Sequence, residues 1–184
     1  GEVIRLQLQD IDWHAGTLQM SRPKTGVNFV LPLLPAVGKV LAPGAILASN
    51  TSSISITRLA SYAADPARFI GIHFFSPVPL MALVELINGL ATAEETTKIA
   101  QAYGEKVGKQ VVVAADSPGF VVNRILLPLI NEACFAAGER LASIPDIDKA
   151  CKLGLGHPMG PLTLADMVGL DVCLNVLRVY QEDF

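Results

Sequence analysis

Four short, nearly all-apolar runs limit what this chain can fold into more than any other feature. They cover residues 45–50, 69–75, 83–87 and 111–113. Runs of this length, without clean apolar/polar alternation, read as strands of a sheet buried on both faces. Residues 53–64 carry Ile54, Ile56, Leu59, Ala60 and Ala63 at roughly helical spacing, which predicts a helix between the first two runs. About seven residues separate the second run from the third, whereas a parallel crossover needs a dozen or more. Those two strands are therefore expected to be antiparallel neighbours. Residues 92–107 predict a helix, with Thr92 as cap, Glu95 at the capping-box position and a stripe of Ile99, Ala102, Tyr103 and Val107; Gly108 stops it. Asp116-Ser117-Pro118 reads as the start of a helix over about 119–141, kinked at Pro128. A short helix over 146–153, a Gly/Pro loop over 154–161 and one long helix over 162–180 complete the chain. This order predicts the second half of an α/β sheet followed by an all-helical domain.

Residues 1–39 differ in character. They read as β-rich: residues 3–9 are an apolar/polar mixture, and residues 17–20 and 27–34, with a turn at 24–26 between them, look like a small hairpin, too few residues to bury a core alone. Lys and Arg number 14 against 17 Asp and Glu, a net charge of −3 that argues against a general nucleic-acid binder. With 51% apolar and only 17% charged residues, disorder is excluded as the main state. No apolar run approaches the ~18 residues of a membrane span. The three cysteines, Cys134, Cys151 and Cys173, are an odd number without C-x-x-C spacing, so neither a disulfide framework nor a zinc site is expected. No secretory pattern opens the chain, and a reducing, cytoplasmic setting is the expectation.

The polar pentad Ser49-Asn50-Thr51-Ser52-Ser53 follows a buried strand and precedes a helix. Ligands of open α/β sheets bind beyond the carboxyl ends of strands, and this pentad offers them hydroxyl and amide groups. The same residues also read as a Ser/Thr helix cap. His73 lies near the end of a Phe-rich strand, where a histidine is often only a satisfied core residue. Glu85, within the apolar stretch 83–87 of the expected neighbour, changes the weighing. A buried carboxylate is costly without a partner, and His73 would supply one. Such a pair tunes an imidazole as a general base, or is a structural ion pair. Asn123 sits early in a helix among Phe120, Val121, Val122, Ile125 and Leu126, where it can reach into a cleft or merely satisfy backbone. Gly154-Leu155-Gly156-His157-Pro158-Met159-Gly160 is not a dinucleotide fingerprint, because the third Gly falls one residue late and no strand precedes it. It reads as an interhelix loop with His157 in solvent.

Several stretches, in order, resemble the 3-hydroxyacyl-CoA dehydrogenase family. They are Leu47-Ala48-Ser49-Asn50-Thr51-Ser52-Ser53, Phe69-Ile70-Gly71-Ile72-His73-Phe74-Phe75-Ser76-Pro77-Val78-Pro79, Leu83-Val84-Glu85, Asp116-Ser117-Pro118-Gly119-Phe120-Val121-Val122-Asn123-Arg124 and Leu153-Gly154-Leu155-Gly156-His157-Pro158-Met159-Gly160-Pro161. The resemblance implies that His73 is the catalytic histidine and Glu85 its carboxylate partner. It implies that Ser52 and Asn123 hold the substrate oxygen and that Asn50 lies beside the nicotinamide. The implied reaction is NAD-dependent oxidation of a 3-hydroxyacyl-CoA to the 3-oxoacyl-CoA, as in fatty-acid β-oxidation or butanoate-type metabolism, with NADP an open alternative to NAD. A homodimer through the helical domain is implied as well. On this reading residues 40–117 are the second half of a Rossmann-type NAD-binding domain and residues 118–184 the start of the helical domain. Residues 1–44 hold no G-x-G-x-x-G, so the cofactor site is expected to be incomplete, with poor NAD binding and impaired turnover.

Residues 1–39 resemble instead a stretch of the tyrosine recombinase catalytic domain, through Gly1-Glu2-Val3-Ile4-Arg5-Leu6, Asp10-Ile11-Asp12-Trp13, Arg22-Pro23-Lys24-Thr25-Gly26 and Val30-Leu31-Pro32-Leu33-Leu34. Lys24 would match that family's hairpin lysine. The expectation is a fused reading frame joined near Gly38 to Leu41. Two further readings stand beside the dehydrogenase: a DNA-binding recombinase remnant, and a non-catalytic acyl-CoA-binding module.

Overall fold

The computed structural model describes residues 41–183, together with the backbone of residues 11–12, 17–21 and 28–32. Ile11–Asp12 (β1), Thr17–Ser21 (β2) and Asn28–Pro32 (β3) form an antiparallel sheet in that order. The β-rich reading of the first segment holds for these strands, while residues 3–9 and Lys24 lie outside the described residues.

A second sheet has the order β4-β5-β6-β7, formed by Leu47–Ser49, Phe69–Phe74, Leu83–Asn88 and Gln110–Ala115. β4 and β5 are parallel, β5 and β6 antiparallel, β6 and β7 parallel. The reversal sits where the short connection requires it. Helix α1 (Ile56–Ala60) lies in the β4–β5 crossover and α2 (Glu94–Lys106) in the β6–β7 crossover. This is an α/β sheet of Rossmann type, followed by helices alone.

Three sequence expectations shift here. β4 is not covered on both faces: Ala48 is exposed and Leu47 and Ser49 are half-buried, because β4 is an edge strand among the described residues. Thr92 does not cap α2. The N-cap is Ala93, without a side-chain bond, and the Thr92 hydroxyl instead donates to the Phe69 carbonyl (2.7 Å) and accepts from the Gly89 amide (3.0 Å). The buried face of α2 is Thr96, Ala100 and Gly104, while Ile99, Tyr103 and Val107 stay about half exposed. Small residues let the helix lie close to the sheet, where Ala100 packs on Ile70 and Leu86. Closeness, not side-chain size, selected the face.

On the other side of the sheet α1 presses its Ile56 onto Gly71. A Cβ at Gly71 would come within 2.9 Å of Ile56 Cδ1 and 2.9 Å of Ile87 Cβ. Overpacking of this kind costs about 1–3 kcal/mol. Gly71→Ala is therefore expected to lower stability by about that amount, read as a fall in the urea midpoint at unchanged slope. An unchanged midpoint would show that the packing here relaxes freely.

The chain divides into two compact units between Asp116 and Ser117. The second unit holds α3 (Val122–Gly138), α4 (Ile144–Gly154), α5 (Pro161–Val168) and α6 (Leu170–Asp183). Leu127, Ile130, Ala165, Cys173 and Tyr180 form its core. α3 begins at Val122 rather than 119, after Gly119 and Phe120 take φ of 76° and 51°. The single helix expected over 162–180 is two helices. Gly169 breaks it with φ 102°, a conformation that side-chain-bearing residues rarely adopt.

Buried Asp148 of α4 ties this unit together. Its carboxylate accepts from the amides of Leu162 (2.8 Å) and Thr163 (2.9 Å) and from the Thr163 hydroxyl, capping α5 where the N-cap Gly160 has no side chain to do so. Burial pushes its pKa up. The Thr163 hydroxyl, the two amides and Lys152 together pull harder, and the carboxyl ends below its ordinary value. A depressed pKa gives stability that is full above the unfolded value of about 4 and is lost as pH falls through the lowered one. Asp148→Asn is therefore expected to be less stable than the parent at neutral pH, with the gap closing in strong acid. Thermal melts across that range check it, and a gap independent of pH would contradict it.

Candidate active site

β5 and β6 pair with His73 directly opposite Glu85. Opposed residues of an antiparallel pair point to the same face, so the register alone brings the two side chains together. His73 Nδ1 lies 2.8 Å from Glu85 Oε2. His73 is 5% exposed and Glu85 0%. The Phe75 ring stands 4.6 Å from the imidazole, tilted by 58°. With Glu85 ionised, Nδ1 carries the hydrogen and donates it, which leaves Nε2 as a proton acceptor.

Beyond β4 the chain enters the polar pentad. The Asn50 side-chain carbonyl accepts from the amide of Phe74, the residue after His73 (2.8 Å). That bond uses the oxygen of the Asn50 amide and leaves its NH2 as a donor for a ligand. Thr51 Oγ1 accepts from the amides of Ser53 (3.4 Å) and Ile54 (3.0 Å), and Ser49 Oγ from that of Thr51 (3.3 Å). Residues 49–54 line a cavity of about 350 Å³. A larger one of about 480 Å³ lies between the sheet and α2, lined by Ile46, Ile72, Phe74 and Tyr103 with Ser49 and Asn50 at its polar end. Among the described residues no cluster of His, Cys, Asp and Glu could hold a metal ion.

Of the residues singled out in the sequence, the structure joins His73 to Glu85 and ties Asn50 to the strand that carries His73. Ser52 occupies the middle of the same loop, half-buried, and Asn123 lies half-buried in the first turn of α3 in the second unit. His157 is half-buried rather than in solvent, its amide directed at the Cys151 carbonyl (3.4 Å). Sequence reasoning missed Asp116. Rather than starting the helix over 119–141, its carboxylate binds the start of α1, 60 residues earlier. Lys109 was missed as well; its Nζ donates to the carbonyls of Val78 (2.6 Å) and Met81 (2.7 Å) and holds the β5–β6 connection. A pairing across such distances leaves no local pattern to find.

Residues 32–117 match the model of the 3-hydroxyacyl-CoA dehydrogenase NAD-binding domain, and residues 119–184 that of the 3-hydroxyacyl-CoA dehydrogenase C-terminal domain. The fold and the matched domains thus define a Rossmann-type NAD-binding domain of a dehydrogenase family followed by that family's C-terminal domain. The chain belongs to the 3-hydroxyacyl-CoA dehydrogenase family. It is 57% identical over 143 residues to a 3-hydroxybutyryl-CoA dehydrogenase of Bradyrhizobium diazoefficiens, covering 78% of this chain and 49% of that protein. A probable 3-hydroxybutyryl-CoA dehydrogenase of Deinococcus radiodurans is 51% identical over 82% of this chain and 54% of its own length. The crystal structure of the (S)-3-hydroxybutyryl-CoA dehydrogenase of Ralstonia eutropha superposes with a TM-score of 0.80 at 52% identity, covering 83% of this chain and 54% of that one. The chain spans about half the length of the relatives it matches. The recombinase resemblance of residues 1–39 is not borne out; the dehydrogenase match begins at residue 32, inside that segment. The comparisons also lend no support to impaired NAD binding, since the matched stretch is the NAD-binding domain itself.

Losing one member of a buried pair leaves the other's charge short of a partner, at a cost of about 3–5 kcal/mol. His73→Phe is expected to destabilise the first unit by about that much, and His73→Phe with Glu85→Leu by clearly less. Chemical unfolding of the two variants provides the comparison. Equal losses would show that the imidazole does not support the carboxylate.

Proposed function

We propose that this chain carries the proton-transfer site for NAD-dependent oxidation of a 3-hydroxyacyl-CoA to a 3-oxoacyl-CoA. The observation behind it is the buried His73–Glu85 pair, 2.8 Å apart, within the family's NAD-binding domain. His73 Nε2 takes the proton of the C3 hydroxyl as general base. Glu85 fixes the tautomer that makes this possible and stabilises the imidazolium that results. Ser52 and Asn123 donate hydrogen bonds to the substrate oxygen and favour the charge that develops there. The two roles rest on the resemblance of their motifs. When bound, NAD would supply the acceptor for the hydride of C3. The residues present fit its nicotinamide end, because the Asn50 amide NH2 is unused by its bond to the Phe74 amide and stands at the carboxyl end of β4, beside the end of β5 that carries His73. Asn50 would hold that end.

The substrate is an acyl-CoA, and the names of the relatives point to the hydroxybutyryl class. A second copy of the chain is the partner we assign to the helical unit, where Leu141, Leu153 and Met167 are exposed. No helix among the described residues is long and apolar enough to cross a membrane.

Reduction of NAD by 3-hydroxybutyryl-CoA tests the reading. His73→Gln is expected to abolish turnover and Glu85→Gln to lower kcat by about 10²-fold or more, with KM little changed. No turnover by the parent chain, or turnover that survives His73→Gln, would overturn it.

A further inference from the structure

We infer that Asp116 is a positioning residue that holds the Ser52 loop in place by clamping the far end of that loop. The inference rests on the role proposed for Ser52. Asp116 follows the last residue of β7, and its carboxylate takes three donors. Oδ2 accepts from the Ser55 hydroxyl (2.7 Å) and the Thr57 amide (2.7 Å), and Oδ1 from the Ile56 amide (2.9 Å). These are the first groups of α1 and the last of the loop.

The strand register shows what the clamp does. Phe74 stands opposite Val84, and Val84 opposite Val111. Asn88 stands opposite Ala115, so Asp116 lies past the other end of the strands. Residues 50–55 connect these two ends. One end is pinned by Asn50 to the Phe74 amide, the other by Asp116. Ile56 then packs on Gly71, which by strand alternation shares its face with His73. The loop therefore leads from the His73 end of β5 onto the face that carries the imidazole, and Ser52 sits between the two pins. The hydroxyl of Ser52 takes no part in the internal bonds of the loop, which are made by Ser49 and Thr51. α1 has only five residues; the Ser55 hydroxyl caps it by accepting from the Arg58 amide (3.1 Å), and Asp116 takes the two amides before that one. With Asp116 removed, the loop keeps its Asn50 pin and loses its link to the end of β7.

The test combines amide hydrogen exchange with steady-state kinetics on the full chain, using NAD and 3-hydroxybutyryl-CoA. Asp116→Ala is expected to lower protection of the Ile56 and Thr57 amides at least ~10-fold while the amides of β5 and β6 keep theirs. The kcat should fall about 10–100-fold with KM changed less than about threefold, as expected when a catalytic group is misplaced while substrate binding is retained. In a Ser52→Ala background the same substitution should cost less than about threefold more, because both act through one hydroxyl. Asp116→Asn and Ser55→Ala, which each spare part of the clamp, are expected to give intermediate exchange and intermediate losses. They serve as the measure if Asp116→Ala does not fold. Unchanged protection of the two amides, or full multiplicative losses in the Ser52→Ala background, would overturn the inference. A parent chain without turnover would overturn the proposed reaction, while the exchange measurement would still decide the clamp.

Discussion

A carboxylate with no exposure to solvent has to be answered by its surroundings, and Glu85 is answered by His73. The rest of the first unit can be understood as what makes that pairing possible. It requires β5 and β6 to run in opposite directions, in a sheet whose other neighbouring strands are parallel. The connection between them is too short for a helix, and Lys109 holds it through the carbonyls of Val78 and Met81. A longer connection would permit a parallel return, and the two residues would no longer be obliged to face each other.

Much of this was legible in the sequence. The apolar runs marked the strands, the short connection marked the reversal, and the cost of an unpartnered carboxylate pointed from Glu85 to His73. Those arguments use neighbours in sequence or a single energetic rule. The roles proposed for Ser52, Asn50 and Asn123 rest on motif resemblance alone, since Ser, Thr and Asn have local structural uses that look the same from sequence. The face of α2 was misread because apolar size is a poor guide where a helix lies close to a sheet and Thr96, Ala100 and Gly104 make the approach. The break at Gly169 was missed because a lone Gly inside an apolar helical pattern is compatible with one helix or with two.

The two units share one device. In each, an aspartate remote in sequence binds the first amides of a short helix, Asp148 where the N-cap Gly160 has no side chain and Asp116 beside the Ser55 hydroxyl that caps the Arg58 amide. Asp116 takes the Ile56 and Thr57 amides with the Ser55 hydroxyl, and Asp148 takes the Leu162 and Thr163 amides with the Thr163 hydroxyl. A negative charge at a helix N-terminus meets both the free amides and the positive end of the dipole. Because the carboxylate comes from another element, the cap also fastens two parts of the chain. It leaves no trace in the local sequence of the helix it serves, which explains why capping patterns gave no hint of either aspartate.

Gly71 has no chemistry of its own, yet it stands beneath Ile56 and opposite Ile87, two places along the same ladder from His73 and Glu85. A slip of β5 by a single residue would bring a bulky side chain under Ile56, and would also turn the imidazole to the opposite surface of the sheet from the acid. The empty space at Gly71 thus works as a keyway: only one alignment of the strands admits the helix above, and that alignment is the one in which base and acid meet.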